Sequence, residues 1–203
     1  MQRVVLSRPD GSLTEALCTR CGLCCDGSLF ADVELAGRDE AAALEVMGLR
    51  LDEDDPDQEL LLQPCAALRG TTCRIYPHRP ECCRTFACRL LQKAQAGRVS
   101  VAQAQAQIVA VLRLKARIDE LIGELWGRKS RLPWKERAAA ALRCSEESFA
   151  GAGNETKRTE LRTALVTFES LIQRTFLNRR AAGAIVVAEE TPGRSNSGCP
   201  RQS

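Results

Sequence analysis

The stretch Cys18-Thr19-Arg20-Cys21-Gly22-Leu23-Cys24-Cys25 places four thiols within eight residues of the chain. Two residues between thiols allow the backbone to curl so that both sulfurs reach one soft cation, and Gly22 suits a tight turn. The adjacent side chains of Cys24 and Cys25 point in different directions. They therefore suit two metals, or two irons of one cluster, better than a single tetrahedral ion. The stretch predicts a metal site.

A second group of thiols lies further along the chain, in Pro64-Cys65, in Cys73-Arg74-Ile75-Tyr76 and in the segment 79–88, which reads Arg-Pro-Glu-Cys-Cys-Arg-Thr-Phe-Ala-Cys. With Cys82 set aside, the two groups supply eight candidate metal ligands: Cys18, Cys21, Cys24, Cys25, Cys65, Cys73, Cys83 and Cys88. Eight thiolates are enough for two tetrahedral zinc sites, or for one zinc and one four-thiolate iron–sulfur cluster.

The full pattern is Cys-x-x-Cys-x-x-Cys-Cys, a later Pro-Cys, and then Cys-x-Ile-Tyr-x-x-Arg-Pro-x-x-Cys-Arg-x-Phe-x-Cys. It resembles the YkgJ-like family of cysteine-cluster proteins, and residues 18–88 carry every element of it. The resemblance implies a zinc- or iron-chelating domain. Through the label attached to some members, it also implies flagellin-lysine N-methylase-like methyl transfer as an alternative function. Cys82 departs from the family pattern.

A disulfide framework is the alternative explanation for the 11 cysteines of the chain. Disulfides need an oxidising compartment, whereas residues 1–9 lack the apolar segment of a signal peptide. No segment approaches transmembrane length. An odd cysteine count and vicinal pairs also fit paired disulfides poorly. We therefore expect a cytoplasmic metal-binding protein with metal ions as partners and no membrane contact.

The sequence predicts an α+β fold in three parts: a cysteine-rich, metal-stabilised knuckle over residues 1–95, an α-helical bundle over 96–180, and a disordered tail over 181–203. Within the knuckle, the alternation of apolar and polar residues predicts a strand over Leu29–Leu35. A helix is expected over Arg38–Met47, and a second strand over Glu59–Gln63.

Three helices are predicted after Cys88. Ser100 is a suitable N-cap for Val101–Trp126, in which apolar residues recur at helical spacing. Trp134–Leu142 is a shorter helix, followed by a loop through residues 151–153. Thr156–Asn178 is helical again, with one apolar stripe formed by Leu161, Leu165, Phe168, Ile172 and Phe176.

Several residues near the thiols have competing interpretations. Arg79 and Arg84 either orient the cluster or bind an acidic group, or they offset the charge of thiolate-bound metal. His78, the single histidine, is not expected to be a ligand, because eight thiols already satisfy two four-coordinate ions. Cys82 is favoured as a structural replacement over a spare ligand or redox partner. Cys144 is expected to be a buried, inert thiol, and Cys199 an exposed one.

Charge and composition narrow the function classes. The segment 113–143 has nine Lys/Arg against four Asp/Glu, but it lacks the interleaved aromatics of nucleic-acid modules, so a solvated helix face is favoured. A single histidine argues against most hydrolytic mechanisms. Three classes stay open: a metal-chelating or iron–sulfur protein, a methyltransferase-type enzyme, and a protein-interaction module with structural zinc. Between the metals, an iron–sulfur centre is slightly favoured, because purely structural zinc has little need of vicinal thiols.

Overall fold

The structure is a computed structural model that describes residues 12–52, 58–127, 134–143 and 152–177. Of these residues, 61% are helical and 8% lie in strands, which confirms a mixed helix-and-sheet fold compatible with the α+β class. The helices are α1 (Leu13–Cys18), α2 (Arg38–Val46), α3 (Glu81–Thr85), α4 (Arg89–Gln95), α5 (Val101–Trp126), α6 (Trp134–Arg143) and α7 (Ala152–Thr175). The strands are β1 (Asp32–Glu34), β2 (Leu60–Leu62), β3 (Leu68–Arg69) and β4 (Thr72–Cys73).

Two small antiparallel sheets occupy the N-terminal half. β1 pairs with β2, and Val33 lies opposite Leu61, which is fully buried. β3 pairs with β4 around the turn at Gly70, where φ is +59°. Beneath the β1–β2 pair, α2 completes a small apolar cluster, which we call the lesser core. It consists of Leu35, Ala41, Leu44, Leu49, Leu61 and Ala67.

The long helices build a larger apolar cluster, which we call the main core. α5 packs along α7 and against α6, and Trp134 meets Phe168 edge to face at a centroid distance of 5.3 Å. The main core also contains Leu17, Leu23 and Leu29 from the segment around the first thiols. Helix packing and the first cysteine group therefore share one interior, whereas the expected division of the chain at residue 95 stays a prediction.

The longest predicted helix is confirmed at both ends. Ser100 Oγ accepts a hydrogen bond from Gln103 N, and the Gln103 side chain accepts one from Ser100 N, which forms a capping box before Val101–Trp126. The predicted Trp134–Leu142 helix is present as α6, one residue longer. The predicted Arg38–Met47 helix is present as α2, with Met47 as its C-cap.

Two other predictions were partly wrong. The Leu29–Leu35 strand is shortened to Asp32–Glu34, because Leu29 N donates to Leu23 O at 3.1 Å and so belongs to the thiol segment. The expected loop through 151–153 is helical from Ala152, so α7 begins four residues before Thr156. A glycine inside a helix costs about 1 kcal/mol relative to alanine, and the packing of so long a helix outweighs that cost.

Some predictions fall outside the described residues: Cys144, Cys199 and the tail over 181–203. Within the described residues, no helix is both long enough and apolar enough to span a membrane.

Candidate metal centre

The first thiol group lies on a series of tight turns that continue from α1. Cys21 N and Gly22 N both donate to Cys18 O, at 3.2 and 3.4 Å, and Asp26 N donates to Gly22 O at 2.9 Å. The side chain of Leu23, between the thiols, is fully buried in the main core. The apolar residue in the middle of the motif therefore anchors the turns, and the thiols remain at the edge of the core.

Gly22 is the point where the first thiol group touches the second. Its φ is +71°, and a Cβ at this position would lie 3.2 Å from Thr71 Cα. Thr71 Oγ1 donates to Thr19 O at 3.0 Å. The close approach of the two backbones thus requires a glycine, for a reason that the sequence alone did not supply.

The second thiol group comes from four short elements. Cys65 precedes the β3–β4 hairpin, and Cys73 ends it, opposite Leu68. Cys82 and Cys83 lie in α3. Cys88 is the N-cap of α4, and its Sγ accepts a hydrogen bond from Leu91 N at 3.4 Å. Because α3 ends at Thr85, Cys83 and Cys88 do not share a helix.

These elements bring both thiol groups around one cavity of about 630 Å³. Every predicted ligand lines it, and so does Cys82: the wall includes Cys18, Cys21, Cys24, Cys25, Cys65, Cys73, Cys82, Cys83 and Cys88. All nine cysteines are free thiols. Much of the remaining wall is apolar, with Leu90, Leu91, Ile108 and Phe176 contributed by α4, α5 and the end of α7. Two groups that are 40 or more residues apart in the chain therefore face the same space.

Burial controls the protonation of these thiols. It raises the pKa of Cys21 and of Cys25 to about 12, and it holds the pKa of Cys24 well above its usual value. Burial also raises the pKa values of Cys18, Cys65 and Cys88. Without a cation these groups are neutral at physiological pH, so a metal that binds them must displace their protons.

Cys82 and Cys83 form a coupled pair. Their Sγ atoms lie 4.0 Å apart, at hydrogen-bonding distance for sulfur. The hydrogen bond between them lowers the pKa of Cys82 and raises that of Cys83, which is also raised by burial. Cys82, the residue that departs from the family pattern, is thus the member of the pair that ionises first.

Of the arginines near the thiols, Arg79 lines the cavity, and its guanidinium carbon lies 3.5 Å from the centroid of the Tyr76 ring. Arg79 Nε donates to Tyr76 O at 2.9 Å. The positive charge opposes the effect of burial on the pKa of Cys18. Arg84 and His78 are exposed and do not line the cavity. Of Arg79 and Arg84, Arg79 is therefore the one that lies beside the thiols.

Residues 17–106 match the family model "CxxCxxCC: Putative zinc- or iron-chelating domain". This part of the chain is therefore similar to that family. The match indicates zinc or iron chelation and includes every predicted ligand. No curated protein and no solved structure matches the chain.

The thiol donors that line the cavity fit the metals that the description of the matched family names. Thiolates are soft ligands that zinc and iron–sulfur clusters accept, whereas calcium and magnesium take oxygen. Asp26, next to Cys25, is already engaged: its Oδ1 accepts from Ser28 N at 2.8 Å, and its Oδ2 lies 3.9 Å from Lys115 Nζ. Within the described parts of the chain, no group of three or more His, Cys, Asp or Glu side chains stands close enough to hold an ion as positioned.

The helical wall of the cavity was not predicted from the sequence. The periodicity of α5 marks Ile108 as buried but does not show what it faces. The short helices α1, α3 and α4 also went unpredicted. Ser12 before α1, with Oγ accepting from Glu15 N at 3.2 Å, is a capping signal that could have revealed the first of them.

Proposed function

We propose that the protein binds zinc or iron through eight thiolates that line the cavity. The ligands of this proposal are Cys18, Cys21, Cys24, Cys25, Cys65, Cys73, Cys83 and Cys88. The observation that carries it is the convergence of nine free thiols on one largely apolar cavity. Thiols without a metal or a disulfide have little reason to gather at this density, because a neutral thiol contributes only weak hydrogen bonds to a core.

On metal binding, these thiols would lose their protons to solvent and come closer together, so that their sulfurs could share the cation. The bound metal supplies either a structural crosslink between the two thiol groups or, as a cluster, an electron-transfer centre. Arg79 supports this role, because a guanidinium beside the thiolates offsets their negative charge. Within the proposal, an iron–sulfur centre is favoured over zinc on account of the vicinal thiols. A cytoplasmic location belongs to the same proposal, because free thiols persist in reducing compartments.

The test is elemental analysis and a visible spectrum of protein purified without oxygen. We expect bound zinc or iron, and a brown protein with charge-transfer absorption if the metal is an iron–sulfur cluster. Cys21→Ser and Cys83→Ser should lower the metal content per chain, whereas Cys144→Ser and Cys199→Ser serve as controls outside the ligand set. A folded wild-type protein with no zinc or iron would contradict the proposal. Equal losses in all four variants would contradict the ligand assignment.

The enzymatic alternative, flagellin-lysine N-methylase-like methyl transfer, has one observation in its favour. The cavity wall includes Gln63, whose side-chain oxygen Oε1 is buried without a hydrogen-bond partner among the described residues. Such an atom can receive a small molecule beside the metal. Equilibrium dialysis of metal-loaded protein with S-adenosylmethionine tests this alternative, and an absence of binding would reject it. The interaction module with structural zinc stays a prediction from sequence.

A further inference from the structure

The cysteines of the cavity pack against two different apolar clusters. Cys18, Cys21, Cys24 and Cys88 contact the main core, which the long helices build. Cys65, Cys73 and Cys82 contact the lesser core, beneath the β1–β2 pair. The shared cavity therefore has two sides, and each side presents its own set of thiols.

Backbone contacts group the same thiols. α1 packs against α4, so Cys18 at the end of α1 and Cys88 at the N-cap of α4 belong to one packed pair of helices. On the other side, Cys65 N donates to Cys25 O at 2.7 Å, and Cys65 O accepts from Leu68 N at 3.0 Å. This arrangement attaches Cys25 to the hairpin that ends at Cys73.

The position of α3 assigns Cys83 to the same side as the hairpin. Its Sγ lies 4.0 Å from that of Cys82, and Cys82 contacts the lesser core. Cys24 packs against the main core, whereas its neighbour Cys25 is joined through its carbonyl to Cys65. The division therefore falls between Cys24 and Cys25.

We infer that the eight thiolates form two separate four-sulfur metal centres, divided between Cys24 and Cys25. The helix-side centre consists of Cys18, Cys21, Cys24 and Cys88. The hairpin-side centre consists of Cys25, Cys65, Cys73 and Cys83. The inference rests on the proposed function and adds which thiols share a metal. Each set has the four sulfurs that a zinc ion or a four-thiolate cluster requires, and Cys82 belongs to neither.

Two double variants test the division by their metal content. Cys21→Ser/Cys88→Ser removes two ligands from the helix-side centre, so the protein should keep as much metal as Cys21→Ser alone. Cys21→Ser/Cys65→Ser removes one ligand from each centre, so it should lose the metal of both. Equal retention in the two double variants would overturn the division and favour a single polynuclear cluster. A folded wild-type protein without metal would instead refute the proposed function, so the two failures are distinguishable.

A spectroscopic measurement tests the same division with single substitutions. Reduced protein from which the metal has been removed is loaded with ¹¹³Cd²⁺, and its cadmium NMR spectrum should show two thiolate-bound resonances. Cys88→Ser should shift or remove one resonance, and Cys65→Ser the other. Cys82→Ser is the matched control and should leave both. If Cys88→Ser and Cys65→Ser perturb the same resonance, or if wild-type protein gives a single resonance, the division is wrong. Far-UV circular dichroism confirms that each variant is folded.

Discussion

Gly22 is the residue on which the meeting of the two thiol groups depends most directly. A residue with a Cβ here would face two costs, the positive φ and a contact of 3.2 Å between that Cβ and Thr71 Cα. Gly48 offers a matched comparison, because it also has a positive φ, +79°, but no atom lies within 4 Å of a Cβ built there. The two glycines therefore separate the cost of the backbone angle from the cost of the close contact.

We expect Gly22→Ala to lower the free energy of unfolding by more than Gly48→Ala does. The positive φ alone costs roughly 1–2 kcal/mol for a residue with a Cβ, and Gly22→Ala must also move Thr71 and with it the hairpin that carries Cys73. Urea denaturation and metal content measure both effects. If the two variants lose equal stability and both keep their metal, the contact with Thr71 is not needed to join the thiol groups.

The raised pKa values of the thiols predict how metal-free protein responds to pH. Unfolded Cys21 and Cys25 ionise near the ordinary value of 9.0, whereas the folded residues have pKa values of about 12. Between these values the unfolded state releases protons that the folded state keeps. The contribution of these two thiols to the free energy of unfolding is therefore fully present below about pH 9. It falls as the pH rises toward about 12. Melting temperatures of reduced, chelator-treated protein should drop over this range. A constant melting temperature would show that these thiols are not buried.

At the scale of secondary-structure elements, α5 carries a charge that faces the thiol segment. Lys115 Nζ lies 3.1 Å from Asp119 on its own helix and 3.9 Å from Asp26, which follows Cys25. Burial raises the pKa of Asp26, and Lys115 is among the groups that oppose this rise. The lysine therefore joins the thiol segment to the helices through a partly buried ion pair.

Lys115→Ala should destabilise the fold by about 1–3 kcal/mol, because it removes the ion pair that the partly buried Asp26 carboxylate forms with this lysine. Arg117→Ala is the matched control on the same helix. Its ion pairs with Glu120 and Glu160 are exposed, so little stability should be lost. Thermal melts of both variants, with Asp26→Asn/Lys115→Ala as the rescue, measure the effect. Equal melting temperatures for the two single variants would show that the Asp26 pair contributes nothing.

How much of each element the sequence could predict depended on where its stability comes from. α5 was predicted at both ends because Ser100, Gln103 and the apolar period are local signals. The elements β3, β4 and α3 have two to five residues each, so tertiary contacts specify them and no local pattern reveals them. The candidate ligands were identifiable because thiols at this spacing have few other uses. The sequence could not show which core each thiol packs against, because that depends on which helix or hairpin lies beside it in the folded chain.

At the scale of the whole molecule, the described structure has two apolar cores, and the thiols lie along both. Leu17, Leu23 and Leu29 extend the first thiol segment into the main core. Loss of metal should therefore loosen the helices as well as the N-terminal half. A structural zinc site contributes on the order of 10 kcal/mol to folding, which exceeds any single apolar contact in either core.

Metal removal by a chelator under reducing conditions should lower the melting temperature of the helices. Trp134, buried against Phe168, reports on the main core through its fluorescence, and protease resistance of residues 18–88 reports on the thiol segments. The native Trp134 fluorescence and the protease resistance should be lost together, and both should recover when metal is restored. A helical melting transition that is unchanged by chelation would show that the two cores are independent of each other.

Because the first thiol segment packs in the main core, it cannot complete its folding until the later helices have been synthesised. Ribosomes build the chain from its N-terminus, and 63 residues separate Cys25 from Cys88, a delay of about 3–13 s at ordinary rates of translation. The main core that buries Leu17 and Leu23 is complete only after α7 has been synthesised. The cysteines that are synthesised first therefore remain accessible to oxidants and to other metals throughout this interval. Until its own metal binds, the nascent chain depends on cellular reductants to keep these thiols reduced.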